Sequence, residues 1–203
     1  MPDSFEDREF KKQAFTGEDF SGSKFRNCQF VECQFISTIF DSATLNACHF
    51  DNCDLKRSRW RDAKLRGVVA TGCDFTDSEF FAAIFEQCRM VGSQFEGSDV
   101  RAARFEGGDW SHSNLSGLDF SKADLSKVSF VESELFRANL KGAVLRGANL
   151  SRANLTGANL SGADLREAEL GGVNLREVSW KGARIDIGQA IQIVQAFGAL
   201  VEG

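Results

Sequence analysis

From Phe5 to Ile185 every fifth residue is apolar, and the phase never slips. The series opens Phe5, Phe10, Phe15, Phe20, Phe25, Phe30, Phe35, Phe40, Leu45, Phe50, Leu55, Trp60, Leu65 and closes Leu175, Trp180, Ile185. Its 37 positions hold 16 Phe, 14 Leu and all 3 Trp of the chain, with single Ala, Met, Val and Ile. Two residues before each sits a second column of mostly small side chains. Ser23, Cys28, Cys33, Thr38 and Ala43 begin it, Ala138 to Ala168 continue it, and Leu118 is its largest exception. The other three positions of each five are mostly polar, often with Asp or Asn just before the large residue.

A period of five matches neither the 3.6 of a helix nor the two of a strand. It fits a chain that turns a corner after each short straight segment, with the large residue and the small one before it pointing inward. Four such sides close a square coil of about 20 residues, and stacked coils pair like parallel strands about 4.8 Å apart. The 37 units then predict about nine coils and a rod roughly 45 Å long. Small residues are needed in the second column because four large groups per coil already crowd the axis, and a larger one overpacks it. Ala70 and Val68 exchange sizes, which reads as volume compensation within one side.

Residues Ala138 to Leu175 carry the clearest motif, as in Ala-Asn-Leu-Ser-Arg-Ala-Asn-Leu-Thr-Gly-Ala-Asn-Leu. This resembles the pentapeptide-repeat family, whose pattern is Ala-Asp/Asn-Leu-x-x. The resemblance covers about residues 5–185 and implies an all-β fold, the right-handed quadrilateral parallel β-helix. The N-terminal half departs from the pattern, with Phe at the centre and Cys or Ser in the small column.

Several residue types invite a chemical reading. All six cysteines (Cys28, Cys33, Cys48, Cys53, Cys73, Cys88) fall in the small inward column, where stacking holds their Cβ atoms farther apart than a disulfide prefers. They read as buried small hydrophobes. His49 and His112 fall on one side but three coils apart, too far for a shared metal or a catalytic pair. A filled, convex solenoid offers no enclosed cleft, so the expectation is no catalysis, no cofactor and no metal. Lys56, Arg57, Arg59, Arg61, Lys64 and Arg66 wrap around three sides and read as a solvated girdle, not as a nucleic-acid stripe. Asp74, Asp77, Glu79, Glu86, Glu96, Asp99, Glu106 and Asp109 form the most electronegative stretch, opposed only by Arg89, Arg101 and Arg104. From Arg137 to Arg184 the balance reverses to +4. The net charge of −5 argues against direct nucleic-acid binding. No apolar run is long enough to span a bilayer and no signal-peptide pattern opens the chain, so the expected location is the cytoplasm.

The rule of five stops after Ile185, dividing the chain into a rod over 1–185 and a closing segment over 186–203. Asp186 followed by Gln189 forms a capping-box pattern, Ile187 to Phe197 reads as a helix, and Gly198 supplies its left-handed stop. Ala190, Ile191, Val194 and Phe197 make an apolar stripe, with Leu200 and Val201 beyond it. A lid over the last coil needs less apolar surface than this, which predicts a two-fold dimer through Ile191, Val194, Phe197, Leu200 and Val201.

The tail from Ala183 to Gly203 is also similar to the ends of quinolone-resistance pentapeptide proteins of the Qnr and MfpA type. In that group Asp, Gln-Ala, an apolar helix, Gly and a final apolar strand close the rod and make the dimer. The resemblance implies a rod that imitates double-stranded DNA in size and charge and binds DNA gyrase, inhibiting it or protecting it from drugs. The unbroken phase implies no projecting loops, as in the MfpA type. The eight acids from Asp74 to Asp109 are then the expected contact. The competing reading is a generic interaction scaffold with a partner other than a topoisomerase.

Overall fold

The computed structural model describes residues 3–201, so Met1, Pro2, Glu202 and Gly203, the outermost residues of the expected rod and tail, lie outside it. The chain winds into a four-sided parallel coil that gains one turn every 20 residues, as the registers Phe5↔Phe25 and Phe10↔Phe30 show. Sides are numbered here by their first central residue: side 1 from Phe5, side 2 from Phe10, side 3 from Phe15 and side 4 from Phe20.

Ten three-residue strands occupy sides 1 and 2: β1 (Ser4–Glu6), β2 (Glu9–Lys11), β3 (Lys24–Arg26), β4 (Gln29–Val31), β5 (Thr44–Asn46), β6 (His49–Asp51), β7 (Lys64–Arg66), β8 (Val69–Thr71), β9 (Ile84–Glu86) and β10 (Arg104–Glu106). They stack as a six-stranded sheet, β1-β3-β5-β7-β9-β10, and a four-stranded one, β2-β4-β6-β8. The strand-built section therefore extends over about five turns, not the nine of a uniform ladder. Elsewhere the sides meet through single-residue bridges, the last being Asp164↔Arg184. The reason is local. On sides 3 and 4, and on every side after Trp110, the small-column N–H turns back to the preceding central carbonyl, as in Ser58 to Leu55 and Val128 to Leu125. That β-turn closes the corner tightly and leaves one residue extended per side.

The polar position before each large residue has a function in the same corner. Asp74, Asp109, Asn149 and Asn159 each accept the backbone N–H two residues on through Oδ1 at 2.9–3.1 Å, the Asx geometry that stabilises a turn. The interior follows the two columns. Phenylalanines stack directly, with ring centroids 4.8 Å apart for Phe5–Phe25 and 4.7 Å for Phe30–Phe50, the spacing of the coils themselves. Hydroxyls and thiols are accepted in the small column because each can donate to a carbonyl one coil back. Thr38 Oγ1 reaches Phe15 O at 2.7 Å, and Cys53 Sγ reaches Phe30 O at 3.3 Å. Val68 and Ala70 both point inward and are buried, as volume compensation requires.

All six cysteines are free and buried. Burial pushes the Cys48 thiol up to about 11 and the Cys88 thiol up to about 12. The folded protein is accordingly expected to react with no thiol reagent at pH 8 and to titrate all six only after unfolding. Rapid labelling of any of them in native buffer contradicts this placement.

The last coil departs from the pattern at Leu175–Glu177, a short 3-10 turn in which Gly157 N–H bonds to Glu177 O, one residue past the register. Helix α1 (Ile187–Ala196) follows, with the complete capping box: Asp186 accepts from Gln189 N–H, and the Gln189 side chain accepts from Asp186 N–H. The expected helix is one residue longer, because Phe197 forms the C-cap.

Candidate interaction surface

The eight acids of the belt lie on all four sides. By register, Asp74, Asp77 and Glu96 belong to side 3, Glu79 and Asp99 to side 4, Glu86 and Glu106 to side 1, and Asp109 to side 2. Five of them hold a basic partner. Lys56 Nζ lies 3.1 Å from Asp74, Arg61 2.5 Å from Glu79 and Arg66 3.1 Å from Glu86. These pairs tie the basic girdle to the acidic belt one coil later, because positions 18 or 20 apart fall one above the other. Arg101 forks onto Asp99 with two 2.8 Å hydrogen bonds and holds its carboxyl below the usual range. Arg104 pairs with Glu106 at 2.7 Å. Asp77, Glu96 and Asp109 make no ion pair among the described residues, and Asp77 and Glu96 are exposed. The stretch is thus a mesh of paired charges with three unpaired carboxylates on sides 2 and 3. The basic C-terminal coils are meshed in the same way: Arg166, with Arg184 farther out, holds Asp164 down to about 2.

The helix divides its apolar residues between two faces. Gln189 is buried and its Nε2 donates to Leu165 O at 2.5 Å and Ala168 O at 2.8 Å, satisfying carbonyls at the open end of the coil. Ile193 and Ala196 pack on the core from the same face. Val194, Phe197, Leu200 and Val201 point away and are exposed, with Ile191 half-buried beside them. Sequence reasoning omitted Ile187, which is 80% exposed and begins the outward face; its spacing of four and seven from Ile191 and Val194 is the signal. Ala190, placed on the stripe by the sequence, is half-buried.

Phe81 and Phe136 are the large apolar residues exposed along the coils, and Arg137 covers the Phe136 ring at 4.8 Å. His112 Nδ1 lies 3.3 Å from a Glu132 carboxylate oxygen. Among the described residues no group of three His, Cys, Asp or Glu is placed to hold a metal ion, and no helix is long and apolar enough to cross a membrane.

Family models for pentapeptide repeats match residues 133–172, with eight copies, and a model for a pentapeptide repeat region matches 3–70 and 68–140. A trypsin-treated variant of QnrB1, a plasmid-mediated fluoroquinolone resistance protein, superposes with a TM-score of 0.76 at 25% identity, over 98% of this chain and 100% of that one. Full-length QnrB1 gives 0.78 at 24% identity, over 97% and 100%. HetL of Nostoc sp. strain PCC 7120, a pentapeptide-repeat protein involved in heterocyst differentiation regulation, gives 0.49 at 24% identity over 92% and 91%. No curated protein sequence matches the chain.

Proposed function

Because this chain belongs to the pentapeptide-repeat family, we propose that it is a non-catalytic, cytoplasmic binding protein that occupies the DNA-binding surface of a type II topoisomerase, DNA gyrase foremost. The observation that carries this reading is the likeness, over 98% of the chain, to a fluoroquinolone resistance protein. The physical logic is competition. A rod about as wide as a duplex, with carboxylates outward, approaches a surface built for phosphates, and complementary charge speeds the encounter. Of the belt, Asp77, Glu96 and Asp109 supply most of that attraction, since the other five acids are offset by their own partners.

Two copies join through their C-terminal ends to double the length of the rod. Ile187, Val194, Phe197, Leu200 and Val201 are exposed apolar residues at that end of each, with Ile191 half-buried. Changing Val194 and Phe197 together to Asp is expected to give a monomer in sedimentation velocity with an unchanged circular dichroism spectrum, because neither side chain holds the helix to the rod. A dimer that survives this double change places the interface elsewhere.

The function is tested by titrating the purified protein into a gyrase supercoiling reaction, with and without a fluoroquinolone. Inhibition alone marks an inhibitor, and relief of drug-stabilised cleavage marks a protector. No effect of the folded protein at micromolar dimer rejects the topoisomerase and leaves an interaction scaffold with another partner.

A further inference from the structure

Apart from the last coil, where Asn154 and Asn174 form no bridge, the ladder among the described residues is interrupted at one place. Glu79 bridges Asp99 and Ile84 pairs with Arg104, but among the described residues no bridge links Asp99 to Asp119 or Arg104 to Asp124, where the 20-residue register requires both. One coil earlier Phe80 N–H bonds to Asp99 O, Arg104 N–H to Ala83 O and Gln87 N–H to Glu106 O. The equivalent bonds of Val100, Asp124 and Gly107 are absent. On sides 2 and 3 the bridges Arg89↔Asp109↔Ser129 and Gln94↔Asn114↔Glu134 continue unbroken. The rod is therefore closed on two sides and parted on the other two, leaving an opening of about 460 Å³ bounded by Val100–Glu106 and Asp119–Asp124.

Its cause lies in the packing. Leu118 occupies the small column, where Ser98 precedes it and Ala138 follows, and it is buried at 2% exposure. A leucine overpacks a position that a serine fills one coil earlier, while its carbonyl still accepts from Asn139 N–H on the following coil. Gly108 adds to the irregularity: its φ is +107° and a Cβ there would lie 2.4 Å from Cys88 O, so only glycine fits. The opening reaches the core, and Ser98, Ala103 and Phe105 are 6–8% exposed where most core residues are at 0–3%.

We propose that this opening is a docking site for an extended peptide segment of a protein partner, which pairs with the free edge of β10. That edge is one border of the six-stranded sheet. By the ladder's own pattern, Ala103 C=O, Phe105 N–H and Gly107 N–H face the following coil across the opening. Unpaired acceptors and donors along an edge are the template for strand addition, and only another backbone offers the matching sequence of groups. The apolar floor takes one aliphatic side chain between Val100, Phe105 and Ala123. The far lip carries Asp119 and Asp124 against Lys122, whereas Glu106 on the near lip is already paired with Arg104. The segment accordingly has an aliphatic residue flanked by lysine or arginine. This site does not depend on which enzyme the rod binds.

The test uses the full isotope-labelled chain and a capped hexapeptide with a central leucine between two lysines, beside the same peptide N-methylated at alternate amides. Titration of the first is expected to shift the Val100, Phe105 and Gly107 amide resonances and to slow their hydrogen exchange at least tenfold, while the N-methylated peptide does neither. Leu118→Ala is expected to close the ladder, protect the Asp119 and Asp124 amides without peptide, and abolish binding. Slow exchange of Phe105, Asp119 and Asp124 in the free natural chain overturns the proposal. So does the absence of any shift at millimolar peptide, or equal binding of the N-methylated form. The last two comparisons use the natural chain alone and stand even if the Leu118 variant does not fold.

Discussion

Replacing Trp60 by alanine is expected to lower the unfolding free energy by about 3–5 kcal/mol, the range for removing a large aromatic from a packed core. Trp60 is 1% exposed and is stacked between Phe40, at 4.0 Å, and Phe80, at 6.0 Å. Its Nε1 donates to Ser58 Oγ at 2.7 Å, and that hydroxyl is 2.6 Å from Leu55 O. The substitution thus opens a void between three successive coils and leaves a buried hydroxyl short of one partner. Coils touch only their neighbours, so a damaged coil also weakens the coupling between the coils before and after it. The denaturation curve, followed by circular dichroism, is expected to separate into two transitions. The control is Phe81→Ala, which removes an aromatic that is 47% exposed on the outer surface and is expected to change stability by less than about 0.5 kcal/mol. Equal losses at the two positions contradict the assignment of inward and outward positions.

The second large effect concerns the partner. Changing Asp77, Glu96 and Asp109 together to lysine is expected to weaken topoisomerase binding by on the order of a hundredfold, equivalent to about 2.7 kcal/mol, with the fold intact. The same reversal at Asp74, Glu79 and Glu86 is expected to cost less binding and more stability. Those acids answer Lys56, Arg61 and Arg66 on the preceding coil, and reversal sets like charges against each other. Affinity measured at two ionic strengths separates the cases: loss of the unpaired acids also flattens the salt dependence. If both triple variants bind as tightly as the natural protein, the contact lies on another surface.

Much of this molecule was legible in its sequence for a geometric reason. A side chain repeated every five residues can reach a common interior only if the backbone turns at every repeat, so the inward columns, the 20-residue coil, the capping box at Asp186 and the burial of the six cysteines all follow from order along the chain. Leu118 was visible too, as the bulky member of a small column, but its consequence was not. Whether an oversized residue compresses its neighbours or parts two coils depends on what surrounds it, and in these coils Phe105 packs edge-on against both Trp110 and Phe120. Tertiary structure alone decided three things. It turned the belt from a run of acids into a mesh, because charges 18 to 20 residues apart meet only when coils stack. It set Gln189, Ile193 and Ala196 against the rod and left Ile187, Val194 and Phe197 outside, because the exposed carbonyls of the last coil draw the amide side chain inward. And it parted the ladder beside β10. Periodicity specifies which side chains share the interior, whereas volume and unpaired backbone groups, which act between coils, determine how closely the coils can come together.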